Sequence, residues 1–376
     1  MKLLKTYEEK KELNNCNCST PCSTNVVQHI HHNSTTLVPK SQCLADSGIE
    51  ALHEKEIKEK FTVKKKKGEQ LVFSFLRLGM NKRAESVVSC GTFLEFARYP
   101  DKYKLHRANF CRDRLCPMCS WRRSYKIFGQ VSQIMDVLDS DYAFIFLTLT
   151  VPNCEADELS NTLDELSKGW SRLIKYKRFS KACKGFFKAL EVTYSSRLGN
   201  YHPHYHVILA VSKSYFKGRD YINHDEWLDM WRKAMRDPSI TQVDVRRVRD
   251  KDSSVMDSCV KSVKSAVAEI AKYSVKDSDY LIGNSEKETD FRVYTFAEAL
   301  HNRRLCAFGG CFKVAHDKLG LDDAETGDLI HVDGDIRSDV ALQIVRYRWS
   351  CGAYNLVEVL DKSPLDMDNV LADCDE

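Results

Sequence analysis

Tyr201-His202-Pro203-His204-Tyr205-His206-Val207-Ile208-Leu209 sets three histidines at alternate positions directly before an aliphatic block. Read as a strand, the segment projects His204 and His206 from one face and Tyr205 from the other. Two imidazoles side by side on a rigid strand supply half of a divalent-metal site. The chain holds 12 histidines, and three of them fall within these five positions. That concentration favours metal binding over a half-exposed strand whose polar residues happen to be histidine.

The rest of the composition bounds what surrounds this strand. With 376 residues, 43% of them apolar and 10% aromatic, the chain can bury one large core or two ordinary ones. The net charge of +4 is unevenly spread. Between Pro100 and Gln130 eight basic residues (Lys102, Lys104, Arg107, Arg112, Arg114, Arg122, Arg123 and Lys126) face Asp101 and Asp113. A local excess of this kind suits a polyanion. The 15 cysteines are odd in number and scattered, and the charged start Met1-Lys2-Leu3-Leu4-Lys5 does not read as a signal peptide. Free or metal-bound thiols in a reducing cytoplasm are expected, rather than a disulfide framework. The longest apolar run, Ala143 to Val151, is too short to cross a bilayer, so no membrane partner is expected.

Four regions follow from patterning. Residues 1–70 carry Asn/Ser/Thr/Cys clusters and the run Lys64-Lys65-Lys66-Lys67-Gly68, and are expected to form a largely disordered tail. Residues 71–138 hold a cysteine-rich basic module. Cys111, Cys116 and Cys119 share one short loop, with Cys90 upstream as the natural fourth thiol and His106 as its substitute. Such a set fits a closed tetrahedral zinc site beside an Arg-rich helix starting near Pro117. An iron–sulfur cluster and buried reduced cysteines are the alternatives. On that helix and loop, Arg112, Arg114, Arg122 and Arg123 are the expected phosphate contacts.

Residues 139–285 read as a mixed α/β unit. Tyr142 to Val151 is a strand and Glu155 to Tyr176 a helix through Leu159, Leu163, Leu166, Trp170 and Leu173. Phe186 to Tyr194 and His204 to Val211 are strands paired across the turn at 195–200. A helix around Trp227 and Trp231, a strand from Gln242 to Val248 and a helix from Ser262 to Tyr273 complete the set. The expected fold class is α+β, with an antiparallel sheet in the ferredoxin-like order β-α-β-β-α-β and a small cysteine-rich module. Residues 286–376 form an extension of unassigned role, helical from Phe291 to Gly309, acidic from Leu321 to Asp339, with a hairpin turning at Cys351-Gly352.

Two imidazoles need a third ligand. Glu191 lies on the strand pairing with the histidine strand and can face the same side; a strand-centre glutamate is costly unless paired or ligating. The donor set suits Mn²⁺ or Mg²⁺ acting on phosphate, and also Zn²⁺ or Fe²⁺. Downstream, Glu269 and Tyr273 stand four residues apart on one helix face, with Lys276 beyond. A phenol of pKa ~10 attacks usefully only when a metal polarises the electrophile and a cation steadies the phenolate. Glu269 can then act as general base.

These segments resemble the three motifs of HUH endonucleases, in particular the initiators of rolling-circle plasmid replication. Phe146-Leu147-Thr148-Leu149-Thr150 is similar to the first, His204-Tyr205-His206-Val207-Ile208-Leu209 to the second, and Tyr273-x-x-Lys276 to the third. Glu269 points to the single-tyrosine group, and the segment from Asn109 through Cys111, Cys116 and Cys119 to Trp121-Arg122-Arg123 looks like that group's N-terminal part. The resemblance spans residues 85–285 and implies a strand-specific DNA nickase. A divalent metal would sit on His204, His206 and Glu191, Tyr273 would form a 5′-phosphotyrosyl link, and Glu269 would activate water for termination. The implied partners are plasmid origin DNA, single-stranded or cruciform at the nick site, with host helicase and polymerase. Tyr280 is a possible second nucleophile, and His202 can orient a ligand or touch DNA. A transposase or relaxase of the same chemistry, a non-catalytic zinc-stabilised DNA-binding regulator and a small-molecule metallohydrolase are the competing readings.

Overall fold

The computed structural model describes residues 40–249, 260–272, 275–332 and 341–361. These residues form two compact units, one from residues 40–111 with 341–361, the other from the described residues between 112 and 332. Helices and strands are numbered in chain order through both.

In the first unit, α1 (Lys40–Glu56) runs through a π-helical turn at Ile57–Phe61 into α2 (Thr62–Arg77), against which α3 (Asn81–Ser89) packs. The loosely ordered stretch expected up to residue 70 is therefore helical from residue 40; residues 1–39 lie outside the described residues. The reason is a row at helical spacing, Phe61, Lys65, Gly68, Val72 and Phe75, all buried. Lys65 belongs to that row because its ammonium donates to the carbonyls of Val88 at 2.7 Å and Cys90 at 2.8 Å. It thus satisfies the open end of α3 while its stem is covered. A charge-dense run was read as a tail, and it is one helix with a wet side and a dry side.

A four-stranded antiparallel sheet completes this unit. β1 (Phe93–Arg98) and β2 (Tyr103–Ala108) are joined by the hairpin β9 (Gln343–Ser350) and β10 (Ala353–Asp361), in the order β10-β9-β1-β2. The hairpin turns where expected. Cys351 and Gly352 both have positive φ, 51° and 73°, as a two-residue type I′ turn requires. It is no separate extension, because β9 pairs along the whole of β1.

In the second unit α4 (Pro117–Leu138) leads into the elements read from the sequence: β3 (Tyr142–Thr150), α5 (Leu159–Leu173), the short α6 (Lys177–Ala182), β4 (Cys183–Ser195), β5 (Asn200–Ser212), α7 (His224–Met235) and β6 (Val243–Arg249). Then come β7 (Val260–Ser262), α8 (Val263–Ile270), α9 (Asp277–Leu281), α10 (Glu286–Ala299), β8 (Cys306–Gly310) and α11 (Cys311–Lys318). The six strands lie in the order β7-β6-β3-β5-β4-β8, antiparallel except for β7 against β6. One sheet face carries Phe144, Phe146, Phe187 and Ile208 under Val131 and Ile134 of α4, Val267 and Ile270 of α8 and Phe312 of α11. On the other face Trp170 of α5 meets Tyr205 edge-on, and Trp231 of α7 donates its indole N–H to the Thr150 carbonyl at 2.7 Å.

Two expectations fail here. Phe291 to Gly309 is not one helix, since α10 ends at Ala299 and residues 306–310 add an edge strand to β4. That strand ends in Gly309-Gly310, where a Cβ on Gly309 would stand 2.4 Å from the Phe186 ring. The close approach is what the glycine permits. The histidine strand is longer than the expected His204 to Val211, since β5 starts at Asn200 and pairing with β4 runs unbroken through Val192↔Pro203 and Thr193↔His202. No helix among the described residues is long and apolar enough to cross a membrane.

Candidate metal centre

Antiparallel register sets Glu191 of β4 directly opposite His204 of β5, and Thr148 of β3 opposite His206. Alternation along each strand then turns all four toward one face. Glu191, His204 and His206 are buried. His206 Nε2 lies 2.9 Å and His204 Nε2 3.4 Å from the same Glu191 Oε2, and the two Nε2 atoms are 3.2 Å apart. Donors held at about 2.1 Å and at right angles around a cation stand about 3 Å from one another. This triangle has that size.

The outer nitrogens fix which way the lone pairs point. His204 Nδ1 lies 3.2 Å from the His202 carbonyl oxygen, which can only accept, so Nδ1 carries a proton and Nε2 is the atom left to take either a second proton or a metal. His206 Nδ1 lies 3.2 Å from Thr148 Oγ1, a hydroxyl able to accept its proton when Nε2 binds a cation. Both imidazoles are thereby aimed, by their outer hydrogen bonds, at Glu191. Two lone pairs and a carboxylate at this spacing repel one another unless a cation or a proton stands among them, and these residues fit a divalent metal.

Protonation agrees with ligation. Burial alone would raise the Glu191 carboxyl, but hydrogen bonds to His204 and His206 outweigh it and hold it well below the usual carboxylate range. Burial lowers His206 by more than the neighbouring Glu191 raises it. An ionised carboxylate beside a neutral imidazole is the state in which both bind metal.

Two more charged groups reach the triangle. Lys276 Nζ is 3.1 Å from Glu191 Oε1, and Glu269 Oε1 is 3.9 Å from His206 Nε2 while its Oε2 holds Lys272 Nζ at 2.5 Å. Burial works to lower Lys276, yet the Glu191 charge raises it further, so its ammonium persists. Tyr273 lies outside the described residues. Helix α8 ends at Ile270 and Lys276 caps the start of α9. Glu269 and Lys276 therefore approach from two separate elements, not from the single continuous helix face expected.

Other sequence expectations fare unevenly. Tyr280 is buried and its hydroxyl donates to the Leu115 carbonyl, so it is a packing residue and not a second nucleophile. The ring of His202 sits beside His204 with 5.1 Å between centroids, and its Nδ1 meets Asn153 Oδ1 at 2.7 Å. Cys90, Cys111, Cys116 and Cys119 form a group whose sulfurs lie within 4.8 Å of one another and could hold a metal ion. Backbone amides of Cys111 and Arg112 donate to the sulfurs of Cys90 and Cys119. His106 is drawn instead toward Glu95.

The arginines need correction. Arg122 is 7% exposed and donates to the carbonyls of Leu329 at 2.9 Å and Ile330 at 2.6 Å. Arg123 reaches the Glu325 and Arg112 carbonyls, Arg114 those of Leu300 and Arg303, and Arg112 that of Thr326. Arg122 and Arg123 thus help tie down residues 325–330, and Arg122, the buried one of the four, is turned inward rather than toward a phosphate. Thr148, by contrast, escaped notice as a site residue. It lay inside the segment resembling the first motif, but its contact with His206 depends on a register the sequence does not display.

With this geometry in place, a family model described as "Replication protein" matches residues 102–355, more than half of the chain. The chain belongs to this replication-protein family. A "Protein rep" of Bacillus sp is 39% identical over 293 residues, covering 75% of this chain and 94% of that relative. A "Protein rep" of Bacillus amyloliquefaciens is 38% identical, covering 73% and 85%. Another, from Streptococcus pneumoniae serotype 2, is 35% identical, covering 67% and 76%. No solved structure gives a significant match. The resemblance to plasmid replication initiators is borne out, and the matched stretch runs past residue 285 into the C-terminal hairpin.

Proposed function

We propose that this chain is a site- and strand-specific DNA nickase of the HUH type, built on a ferredoxin-like sheet, that binds plasmid origin DNA and starts rolling-circle replication. One observation carries the reading. Glu269 and Lys276, four residues before Tyr273 and three after it, both reach the Glu191–His204–His206 triangle. The sequence neighbours of the tyrosine on either side thus stand where a metal would meet phosphate, which supports Tyr273 as the nucleophile. Such a cation, Mn²⁺ or Mg²⁺, would polarise the scissile phosphate.

The chain's own groups do the rest. The Tyr273 oxygen bonds to phosphorus as the bond to the 3′-oxygen breaks; the phenolic proton passes to Glu269, and the departing 3′-oxygen takes a proton from solvent. The products are a 5′-phosphotyrosyl ester and a free 3′-hydroxyl, which host polymerase extends while a helicase opens the duplex. The ester keeps the phosphodiester's energy, so rejoining needs no ATP. Lys276 pairs with Glu191 and offers positive charge to the phenolate as its proton leaves. Zinc on the four cysteines is the corresponding structural metal, by the preference of thiolates for it, in a protein expected to work in a reducing cytoplasm.

The test is nicking of supercoiled plasmid bearing the cognate origin, with Mn²⁺. Wild type should give open circles and an oligonucleotide adduct whose labelled peptide contains Tyr273. Tyr273→Phe should abolish the adduct, and His204→Ala should abolish both nicking and Mn²⁺ binding. A transposase-like enzyme would instead prefer transposon-end substrates. Duplex binding with no adduct would leave only a DNA-binding regulator.

A further inference from the structure

Beside the triangle, a cleft of about 580 Å³ opens between α4 and the α8–α9 segment, lined by Trp121, Tyr125 and Phe128 on one side and Ala271, Lys272 and Lys276 on the other. Its size lies within the ~300–1,000 Å³ typical of small-ligand sites, and like them it has apolar walls with few polar groups. Tyr125 is 43% exposed, and Trp121 backs it edge-to-face with 5.5 Å between ring centroids. Lys276, on the opposite wall, is the residue that reaches Glu191 at 3.1 Å, so cleft and triangle share a side chain.

We infer that this cleft seats an unstacked base of the single-stranded DNA next to the scissile phosphate; the inference rests on the nickase reading. Three features choose the occupant. Aromatic walls accept the flat face of any base, the feature by which proteins hold single strands. The ammonium groups of Lys272 and Lys276 on the facing wall, paired with Glu269 and Glu191 and next to Asp277, suit the backbone that accompanies a base better than an apolar peptide or a lipid tail. Continuity with the triangle through Lys276 places that base beside the proposed reacting phosphate. A strand held by a flipped base cannot slide, so the cleft would also set which phosphate is cut.

The experiment compares wild type, Tyr125→Ala and Tyr125→Phe as full chains. It uses a fluorescein-labelled single-stranded 20-mer spanning the cognate nick site, the same strand as a duplex, and 20-mers with one abasic position stepped across the site. Tyr125→Ala should weaken single-strand binding roughly 5- to 100-fold, the range of one base–aromatic stack. It should leave duplex binding and the melting temperature unchanged, while Tyr125→Phe binds as wild type. One abasic position should weaken wild type and leave Tyr125→Ala unaffected. Wild-type single-strand affinity in a folded Tyr125→Ala would overturn the inference, as would equal losses at every abasic position. Nicking by the wild type is scored in parallel. If nicking is absent, the nickase reading fails; if nicking is present and Tyr125→Ala binds normally, only the base cleft fails.

Discussion

Replacing Thr148 by Val tests whether the imidazole pair is aimed as a metal site. The two side chains are nearly equal in shape, so β3 should keep its packing. What disappears is the acceptor 3.2 Å from His206 Nδ1. The imidazole then either holds a poorly satisfied N–H or moves its proton to Nε2, the atom that faces Glu191 Oε2 at 2.9 Å. Either outcome opposes a cation on Nε2. A buried polar group left without its partner costs about 1–3 kcal/mol, and each ~1.4 kcal/mol is tenfold in affinity. The resulting range of roughly 5- to 150-fold brackets the losses of about 10- to 100-fold when a ligand's outer hydrogen bond is removed. Thr148 is only part-buried, so water recovers some of the loss and about tenfold is the expected figure.

The assay is a titration of Mn²⁺ followed by the paramagnetic resonance of the free ion, with nicking rates measured beside it. Thr148→Val should raise the Mn²⁺ dissociation constant about tenfold, with near-wild-type nicking once Mn²⁺ saturates, and Thr148→Ser should restore both. An unchanged Mn²⁺ affinity in folded Thr148→Val would refute the claim that the outer hydrogen bond aims His206.

Two further predictions concern stability. His53 is buried among Phe96, Tyr103 and Tyr347, neither ring nitrogen has a hydrogen-bond partner among the described residues, and burial lowers its pKa to about 4. With an unfolded value near ~6.5, the unfolded chain takes a proton that the folded chain refuses. Stability is therefore full above about pH 6.5 and falls by up to about 3 kcal/mol as the pH drops to about 4; urea unfolding should show this slope, and His53→Phe should remove its share. Arg122→Ala should lower stability by about 1–3 kcal/mol, because the Leu329 and Ile330 carbonyls lose their donor. It should leave the salt dependence of DNA binding unchanged; a flatter slope would return Arg122 to the DNA surface.

The element order of the second unit was legible because its strands are β-branched and aromatic, and Trp170 and Trp231 fall on apolar helix faces. The Glu191–His204 pairing was legible too, since the short turn at 195–200 leaves little freedom in the register of β4 against β5. The pairing of β3 against β5 is set by tertiary packing, and with it the role of Thr148 stayed hidden. Residues 40–70 were misread because composition was weighed without periodicity: four adjacent lysines read as a solvated tail, though one of them completes a buried row. The edge strand at 306–310 was lost because its two terminal glycines carry no β signal.

The arginines teach the most about charge read from sequence. The excess between Pro100 and Gln130 is real, but its partners lie about 200 positions away in the chain. Lys126 pairs with Asp322, Arg114 with Glu325, and Gln130 holds the Asp322 carboxylate as well. An acidic loop that carried no assigned role is the counter-charge of α4, and much of the positive field expected there is spent inside the unit. The cations near the proposed chemistry are ion-paired too, Lys272 with Glu269, Lys276 with Glu191 and Arg246 of β6 with Asp244, but none of these pairs involves the acidic loop. Arg246 stands opposite Phe146 on the sheet face that carries Thr148, and it is held by Asp244. A strand drawn by those three would cross the triangle, whereas one drawn by the α4 arginines would have to pull an acidic loop away first.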